Sequence, residues 1–234
     1  MDVSVVIPAY NEESRLGASL DAVVSYLQKR SFDFEILVVD DGSTDCTASI
    51  VLRQSDPRIF LLSYGKNRGK GFAVRTGVLA AKKSLILFSD ADLSTPIEEF
   101  DGFLRSKADI VIGSRNLESS RITKKQPLIR QRLGRAFPRV VDAILPLGIK
   151  DTQCGFKLFK AKAAKRIFRS VRTAGFGFDV EALYLAKKMG YVIDEQPVEW
   201  RNAGGSKVSI LRDVPRMLWD VFKVRWRDLC GQYG

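Results

Sequence analysis

Histidine is absent from all 234 residues of this chain. That absence excludes Ser-His-Asp catalysis, histidine-ligated zinc and any imidazole general base. Cysteine is scarce: Cys46, Cys154 and Cys230 are odd in number, far apart and in no metal-spaced pair. Such usage fits reduced thiols in a cytoplasmic protein. No apolar run reaches roughly 18 residues and no charged-then-apolar segment opens the chain, so neither a spanning helix nor a signal peptide is expected. The Gly-x-Gly-x-x-Gly fingerprint is missing after the first apolar strand, which sets aside a nicotinamide-dinucleotide site. Acids are the minority charge, 27 Asp+Glu against 38 Lys+Arg for a net +11. That balance points to polyanionic partners: nucleic acid, acidic lipid headgroups or phosphorylated small molecules.

What is present alternates between strand and helix. Asp2–Pro8 reads as a β-branched first strand, running through Ala9-Tyr10-Asn11-Glu12-Glu13 into a helix that ends near Arg30. Phe34–Val39 is a second strand, closed by Asp40-Asp41-Gly42-Ser43-Thr44-Asp45. There Gly42 supplies a tight turn and Ser43 or Thr44 can cap the next helix. Arg58–Ser63 is a third strand, followed by a glycine-rich loop, Gly65 to Gly71. Its spacing is wrong for a P-loop, although Lys70 at the start of the helix from Phe72 to Lys83 can still reach a phosphate. Small residues on that helix suggest close packing on the sheet.

Leu85-Ile-Leu-Phe88 reads as a buried central strand that stops abruptly at Asp90 and Asp92. Carboxylates at the C-terminal edge of such a strand stand where open α/β sheets bind ligands, and hard oxygens there suit Mg²⁺ or Mn²⁺ holding a diphosphate. A solvated turn is the plainer alternative for this pair, as capping is for Asp40 and Asp41. Thr95-Pro96 opens another helix, and Asp109–Gly113 is a fifth strand ending in Ser114-Arg115. The fold expected is α/β, a mostly parallel sheet with covering helices.

After Arg115 the character changes. Eight basic residues and one acid lie between Arg115 and Arg139. The part with Ser119, Ser120 and Thr123 reads as a mobile loop. From Leu128 to about Leu145 a helix follows, with Ile129, Leu133, Val140 and Ile144 on one face, Arg132, Arg135 and Arg139 on the other, and Pro138 breaking or kinking it. Asp151–Phe159 is a loop into a short strand, and Ala161–Ser170 a helix. Gly175–Glu181 opens another helix, where Asp179 and Glu181 either cap or face a cleft. Tyr191–Gln196 is a further strand. Asn202–Lys207 reads as a glycine-rich lid carrying Lys207. Ile210 to about Leu229 is amphipathic, with Leu211, Val214, Leu218, Phe222 and Leu229 on one face and Arg212, Arg216, Lys223 and Arg227 on another. A lipid interface and packing on the domain both remain open for it.

Residues 5–12 (Val-Val-Ile-Pro-Ala-Tyr-Asn-Glu), 38–45 (Val-Val-Asp-Asp-Gly-Ser-Thr-Asp), Asn67-x-Gly-Lys-Gly71 and Ser89-Asp-Ala-Asp-Leu93 together resemble the inverting GT-A glycosyltransferases of family 2. Gly113-Ser-Arg115 with its basic helix resembles the polyprenyl-phosphate branch. Asp151–Phe159, Phe178-Asp-Val-Glu181 and Gly205-Ser-Lys207 are most similar to the dolichyl-phosphate β-glucosyltransferase group. The resemblance spans nearly the whole chain as one GT-A domain: residues 1–115 for the nucleotide sugar, 116–209 for acceptor and lid, 210–234 the amphipathic helix. The N-terminal anchor and the C-terminal spanning helices of some relatives are not expected.

The resemblance implies transfer of a sugar, with inversion and a divalent metal, to dolichyl or another polyprenyl phosphate. UDP-glucose is the favoured donor; GDP-mannose and UDP-N-acetylglucosamine are the alternatives. Pro8, Ala9, Tyr10 and Glu12 would border the nucleoside and Asp41 would bond the base. Asp90, with Ala91, would contact the ribose or diphosphate side, and Asp92 would hold the metal with Asp90 and Ser94. Arg115, Arg130 and Arg135 would hold the acceptor phosphate, and Arg201 and Lys207 would close over the donor. The protein would be peripheral on the cytoplasmic face of a membrane. A basic nucleic-acid-binding protein is the rival of another class, but it would leave the acidic strand ends unexplained, so no nucleic-acid partner is expected.

Overall fold

The computed structural model describes residues 1–124, 128–201 and 210–233, with side chains 124–135, 210 and 211 left aside. In chain order the elements are β1 (Asp2–Ala9), α1 (Leu16–Lys29), β2 (Asp33–Asp40), α2 (Thr47–Leu52), β3 (Ile59–Ser63), α3 (Lys70–Ala80) and β4 (Leu85–Ser89). A 3₁₀ turn (Ile97–Glu99) leads into α4 (Phe100–Phe103) and β5 (Ile110–Ser114). Then come β6 (Arg121–Lys124), α5 (Leu128–Ile144), β7 (Phe156–Lys160), α6 (Ala161–Ser170), α7 (Phe178–Lys188), β8 (Ile193–Pro197), β9 (Glu199–Arg201) and α8 (Ile210–Leu229).

Seven strands form one sheet in the order β3-β2-β1-β4-β7-β5-β8. All neighbours run parallel except β7, which is antiparallel to both β4 and β5. The mostly parallel α/β expectation is therefore met. Its strands read as continuous apolar runs because both faces are covered. Val3, Val5 and Ile7 of β1 join a core with Leu16, Leu20 and Val23 of α1, whereas Val6 joins the opposite core with Ala73, Val74 and Val78 of α3. From β1 the chain goes outward to β2 and β3, then returns to place β4 on the other side. That reversal leaves a crevice at the C-terminal ends of β1 and β4, the usual ligand position in open α/β sheets.

Several local expectations are corrected. α2 starts only at Thr47, whose N–H is taken by Asp45 Oδ1 (3.0 Å), with no cap bond from Ser43 or Thr44. Ser43 instead uses its backbone N–H on Asp40 and accepts the N–H of Asn11 through Oγ, while Gly42 does turn in the left-handed region at φ 71°. The segment read as a mobile loop contains β6, which pairs in parallel with β9. α5 runs through Pro138 as one helix and buries Phe137 and Val141, with Leu145 buried just past its end, leaving Val140 exposed. α8 buries Met217, Val221 and Val224, while Phe222 and Leu229 face solvent. Apolar residues lie on more than one side of α8, so counting them could not choose the inward face. Residues 202–207, the expected lid with Lys207, lie outside the described residues.

Glu181, in the first turn of α7, is fully buried and neither caps that helix nor lines the crevice. Its carboxylate accepts the backbone N–H groups of Arg172 (3.0 Å) and Thr173 (2.6 Å). It also meets Arg227 of α8 at 3.2 Å and the hydroxyl of Tyr233. One carboxylate thus ties the C-terminal helix to the segment before α7. Glu181→Gln removes the charge and replaces one of the two accepting oxygens with an amide NH₂, leaving one set of these donors without an acceptor, and is expected to cost about 2–4 kcal/mol of stability. A urea unfolding midpoint unchanged from the parent protein would contradict this role.

Candidate active site

The crevice is lined by strand ends. β1 delivers Pro8 and Ala9, both buried, and then Tyr10, which is exposed. β2 delivers Asp40 and Asp41, and Asp41 donates its N–H to the carbonyl of Ala9 (2.8 Å), joining the two strand ends. The Asp41 carboxylate lies almost wholly inside. It accepts the hydroxyl of Tyr64 (2.8 Å) and the backbone N–H groups of Arg68 (2.8 Å) and Gly69 (2.9 Å). Asp41 therefore fastens the glycine-rich loop to the sheet and sets the position of Lys70.

β4 delivers Asp90-Ala91-Asp92, a turn closed by the N–H of Leu93 on the carbonyl of Asp90 (3.2 Å). Leu93 adopts φ 44°, a left-handed conformation that costs a leucine about 1–2 kcal/mol and persists only where surroundings impose it. Those surroundings are visible. Ser19 of α1 donates its hydroxyl to the carbonyl of Ala91 (2.7 Å), and the N–H of Ser94 donates to Asp92 Oδ1 (2.9 Å). Ser94 also accepts the N–H of Arg201 at its own carbonyl (2.7 Å), which brings Arg201 to the rim. Arg201 turns its guanidinium to Glu199 (2.7 Å).

Each carboxylate of this turn has a cationic neighbour. Lys70 Nζ lies 2.7 Å from Asp90 Oδ1, and Arg15 Nη1 lies 3.8 Å from Asp92 Oδ2 while its other nitrogens bond Glu12. Burial works against the Lys70 ammonium, but Asp90 and Asp179 outweigh it and raise its pKa. Asp90 and Asp92 both stay partly open to solvent, with side chains 33% and 26% exposed. Among the described residues no group of three or more acidic, cysteine or histidine side chains could hold a metal alone. Two accessible carboxylates instead suit a hard cation that takes its remaining ligands from a phosphorylated ligand and water.

β7 closes the far side. Because it runs antiparallel to β4, its start lies beside the end of β4, with Ser89 opposite Phe156 and Asp90 N–H bonded to the carbonyl of Gly155 (3.0 Å). The Asp90 carboxylate fills the space a Cβ of residue 155 would need, so any residue larger than glycine there has to displace it. Lys157, two residues on, is fully buried and pairs with Asp179 of α7 at 2.6 Å while also donating to the carbonyl of Cys154 (2.6 Å). Burial pushes the Asp179 carboxyl up against the pull of Lys157 and Lys70. Asp179 thus belongs to the charge cluster behind the site.

At the end of β5, Arg115 forms a two-pronged pair with Asp151, Nε to Oδ2 at 2.6 Å and Nη2 to Oδ1 at 2.8 Å. Glu195 accepts the N–H groups of Lys150 and Asp151, fixing the loop that carries the acid. Burial disfavours the Asp151 carboxylate, but Arg115 outweighs it and holds its pKa below the ordinary range. The pair's contribution is present above the unfolded Asp pKa and is lost as pH falls through the lower folded value, so neutral conditions retain it in full.

The structure therefore gathers Pro8, Ala9, Tyr10, Glu12, Asp41, Lys70, Asp90, Ala91, Asp92, Ser94, Arg115 and Arg201 along one edge. The side chains of Arg130 and Arg135, with Lys207, lie outside the described residues. Sequence reasoning missed Arg15, Asp151, Lys157 and Gly155. A lysine alternating with Phe156, Leu158 and Phe159 in a strand was the signal available for Lys157.

The glycosyl transferase family 2 model matches residues 4–168. A dolichyl-phosphate β-glucosyltransferase of Dictyostelium discoideum is 38% identical, over 98% of this chain and 75% of its own length. The human protein of the same name is 36% identical, over 99% and 77%. Among solved structures, mannosyl-3-phosphoglycerate synthase of Rubrobacter xylanophilus superposes with TM-score 0.74 at 21% identity, over 99% of this chain and 75% of that one. Glucosyl-3-phosphoglycerate synthase of Mycobacterium tuberculosis, crystallised with Mn²⁺ and UDP-glucose, gives 0.69 at 20%, over 98% and 79%.

Cys154, buried under the site beside Thr95, has its thiol pushed up to about 11 by burial, whereas Cys46 and Cys230 are exposed. The expected outcome at mildly alkaline pH is rapid alkylation of Cys46 and Cys230 with Cys154 protected until the protein unfolds. Mass spectrometry of the labelled protein checks this, and equal labelling of all three would refute it.

Proposed function

The chain belongs to glycosyl transferase family 2, and from that premise we propose that it transfers glucose from UDP-glucose to dolichyl or a related polyprenyl phosphate, with inversion. The observation that supports the reading most is the meeting of Asp90, Asp92, Lys70 and Arg115 at the switch-point edge of the sheet. Relatives named for dolichyl-phosphate β-glucosyl transfer at this identity agree with it.

In this reading residues 1–115 receive the donor. Pro8, Ala9, Tyr10 and Glu12 border the nucleoside, and Asp41 lies at the base with the loop it fastens. Asp92, with Asp90 and Ser94 beside it, would hold Mg²⁺ or Mn²⁺, an assignment the accessible hard oxygens of the two carboxylates fit. Once bound, that cation neutralises charge on the leaving diphosphate. Lys70 exchanges its contact with Asp90 for the donor diphosphate, Arg201 approaches from the rim, and Lys207 is assigned to the same diphosphate. Arg115, oriented by Asp151, serves the acceptor phosphate with Arg130 and Arg135.

The bond changes ask little more of the chain. A phosphate oxygen of the lipid attacks the anomeric carbon from the face opposite the nucleotide, the bond to UDP breaks, and UDP leaves with the electron pair. A phosphate monoester has a second pKa of about 6, so near neutrality it needs no base. A chain without histidine therefore loses nothing. What remains is to bring two anions together, a task for positioned cations. The acceptor's isoprenoid tail places the reaction at a membrane surface, from its cytoplasmic face. Among the described residues no helix is long and apolar enough to cross a membrane.

A donor panel of UDP-glucose, GDP-mannose and UDP-N-acetylglucosamine with a short polyprenyl phosphate tests the reading, and preference for either of the last two would replace the sugar. A nucleic-acid role would instead give salt-sensitive nucleic-acid binding indifferent to Mg²⁺. Asp92→Asn is expected to lower turnover by on the order of 100-fold or more while the fold persists. Gly155→Ala, which must displace the Asp90 carboxylate, should lower it about 10–100-fold. Near-normal metal-dependent turnover in Asp92→Asn would sink the assignment. Arg130→Ala and Arg135→Ala should weaken use of the acceptor more than donor binding, measured by acceptor kinetics against donor calorimetry.

A further inference from the structure

α8 is apolar on two opposite sides. Met217, Val221 and Val224 are buried against the domain, yet Trp219, Phe222, Trp226 and Leu229 stand 64%, 53%, 67% and 67% exposed. At 100° per residue those four fall within a sector of about 80°, roughly opposite the buried three. The inward face already satisfies the helix's need for packing, so the second stripe is not an edge of the core. Two tryptophans, a phenylalanine and a leucine in an unbroken exposed row exceed the scattered apolar residues that soluble surfaces carry.

The flanks indicate what covers the row. Arg212, Arg216 and Lys223 project along one side of it and Arg225 along the other. Arg212, Lys223 and Arg225 pair with Asp213, Asp220 and Asp228 of the same segment, yet keep 61%, 41% and 45% of their side chains exposed to meet a headgroup, whereas the acids lie further inside. Apolar aromatics bordered by cations match a bilayer interface with anionic headgroups, where indole rings settle and each basic residue adds attraction. A protein partner would not require cations on both sides of the row. The helix also stands close to the acceptor side. Met217 receives the amide N–H of Gln153 at its sulfur (3.1 Å), two residues from the Asp151 that orients Arg115, and Asp220 packs directly on Gly177 before α7.

We propose that the Trp219–Phe222–Trp226–Leu229 face of α8 seats the enzyme in an anionic lipid interface while the opposite face holds the catalytic domain. This rests on the lipid-phosphate acceptor of the proposed function and adds the surface that reaches it. The helix lies in the plane of the interface, its row among the upper acyl chains and its cations at headgroup level. A polyprenyl phosphate then rises beside the helix toward Arg115 without its tail leaving the bilayer.

The test is the intact protein against W219S/W226S, with vesicles of phosphatidylcholine alone or mixed with phosphatidylserine, at low and high salt. Both tryptophans are exposed, so the fold should survive, and circular dichroism verifies it. The parent protein should bind the mixed vesicles more tightly, lose affinity with salt, and shift its tryptophan emission to the blue. The double variant should bind at least roughly tenfold more weakly. Its turnover with a short, water-soluble polyprenyl phosphate should be unchanged, while turnover with vesicle-borne acceptor falls. Equal vesicle binding by both proteins overturns the proposal. So does a self-associating parent whose association, rather than vesicle binding, is lost in the variant. Failure of the parent to use the short acceptor counts against the function instead, because vesicle binding is read without turnover.

Discussion

A lysine in the middle of a central strand has nowhere to send its charge, and Lys157 is such a residue. Removing an ammonium from water costs several kcal/mol unless a partner and hydrogen bonds compensate it. Asp179 supplies the partner and the carbonyl of Cys154 the second acceptor. With that charge matched, β7 can lie between β4 and β5. Only with β7 there does Gly155 face Asp90 and the loop of Asp151 reach Arg115. Phe88 lies between the cations, its ring 5.4 Å from Lys70 Nζ and 5.7 Å from Lys157 Nζ. The reactive edge and the buried pair behind it therefore form one electrostatic unit.

The same logic extends to the C-terminal helix. Glu181, two residues beyond Asp179, holds Arg227 and Tyr233 with one carboxylate and the backbone of Arg172 and Thr173 with the same group. The chain that follows, through Ala174 and Gly175, packs on Gly69 and Gly71, and Ala174 accepts the N–H of Phe72 (3.2 Å). The helix that carries the aromatic row and the loop that carries Lys70 thus share a rigid neighbour.

Most of the sheet was legible because parallel strands buried on both faces leave unmistakable apolar runs, as in Leu85–Phe88. The acidic strand ends were legible for a related reason, since a run that stops at Asp90 announces its own edge. Pairings between distant segments were not. Nothing local to Arg121–Lys124 says that Glu199–Arg201 will lie beside it, and Arg15 is an ordinary helix-start arginine until β4 arrives next to it. On α8 the apolar positions were legible but not which of them face inward, because two apolar faces on one helix give periodicity no means of choosing the inner one.

β7 also has a bearing on how the chain is made. Domains generally fold as units, N-terminal ones first during synthesis, and within this one the strands of the sheet become available in chain order. The parallel strands β1 to β4 can pair once residue 89 is out, and the two carboxylates of the next turn then stand at an unfinished border. Their wall, Gly155 and Lys157, comes from far later in translation and has to insert between β4 and β5. Until it does, β4 is an open edge available to a wrong partner, the exposure that makes non-local sheets prone to misassembly. Activity should therefore be among the last properties a nascent chain acquires, and a chaperone that shields β4 would act on the step that completes the site.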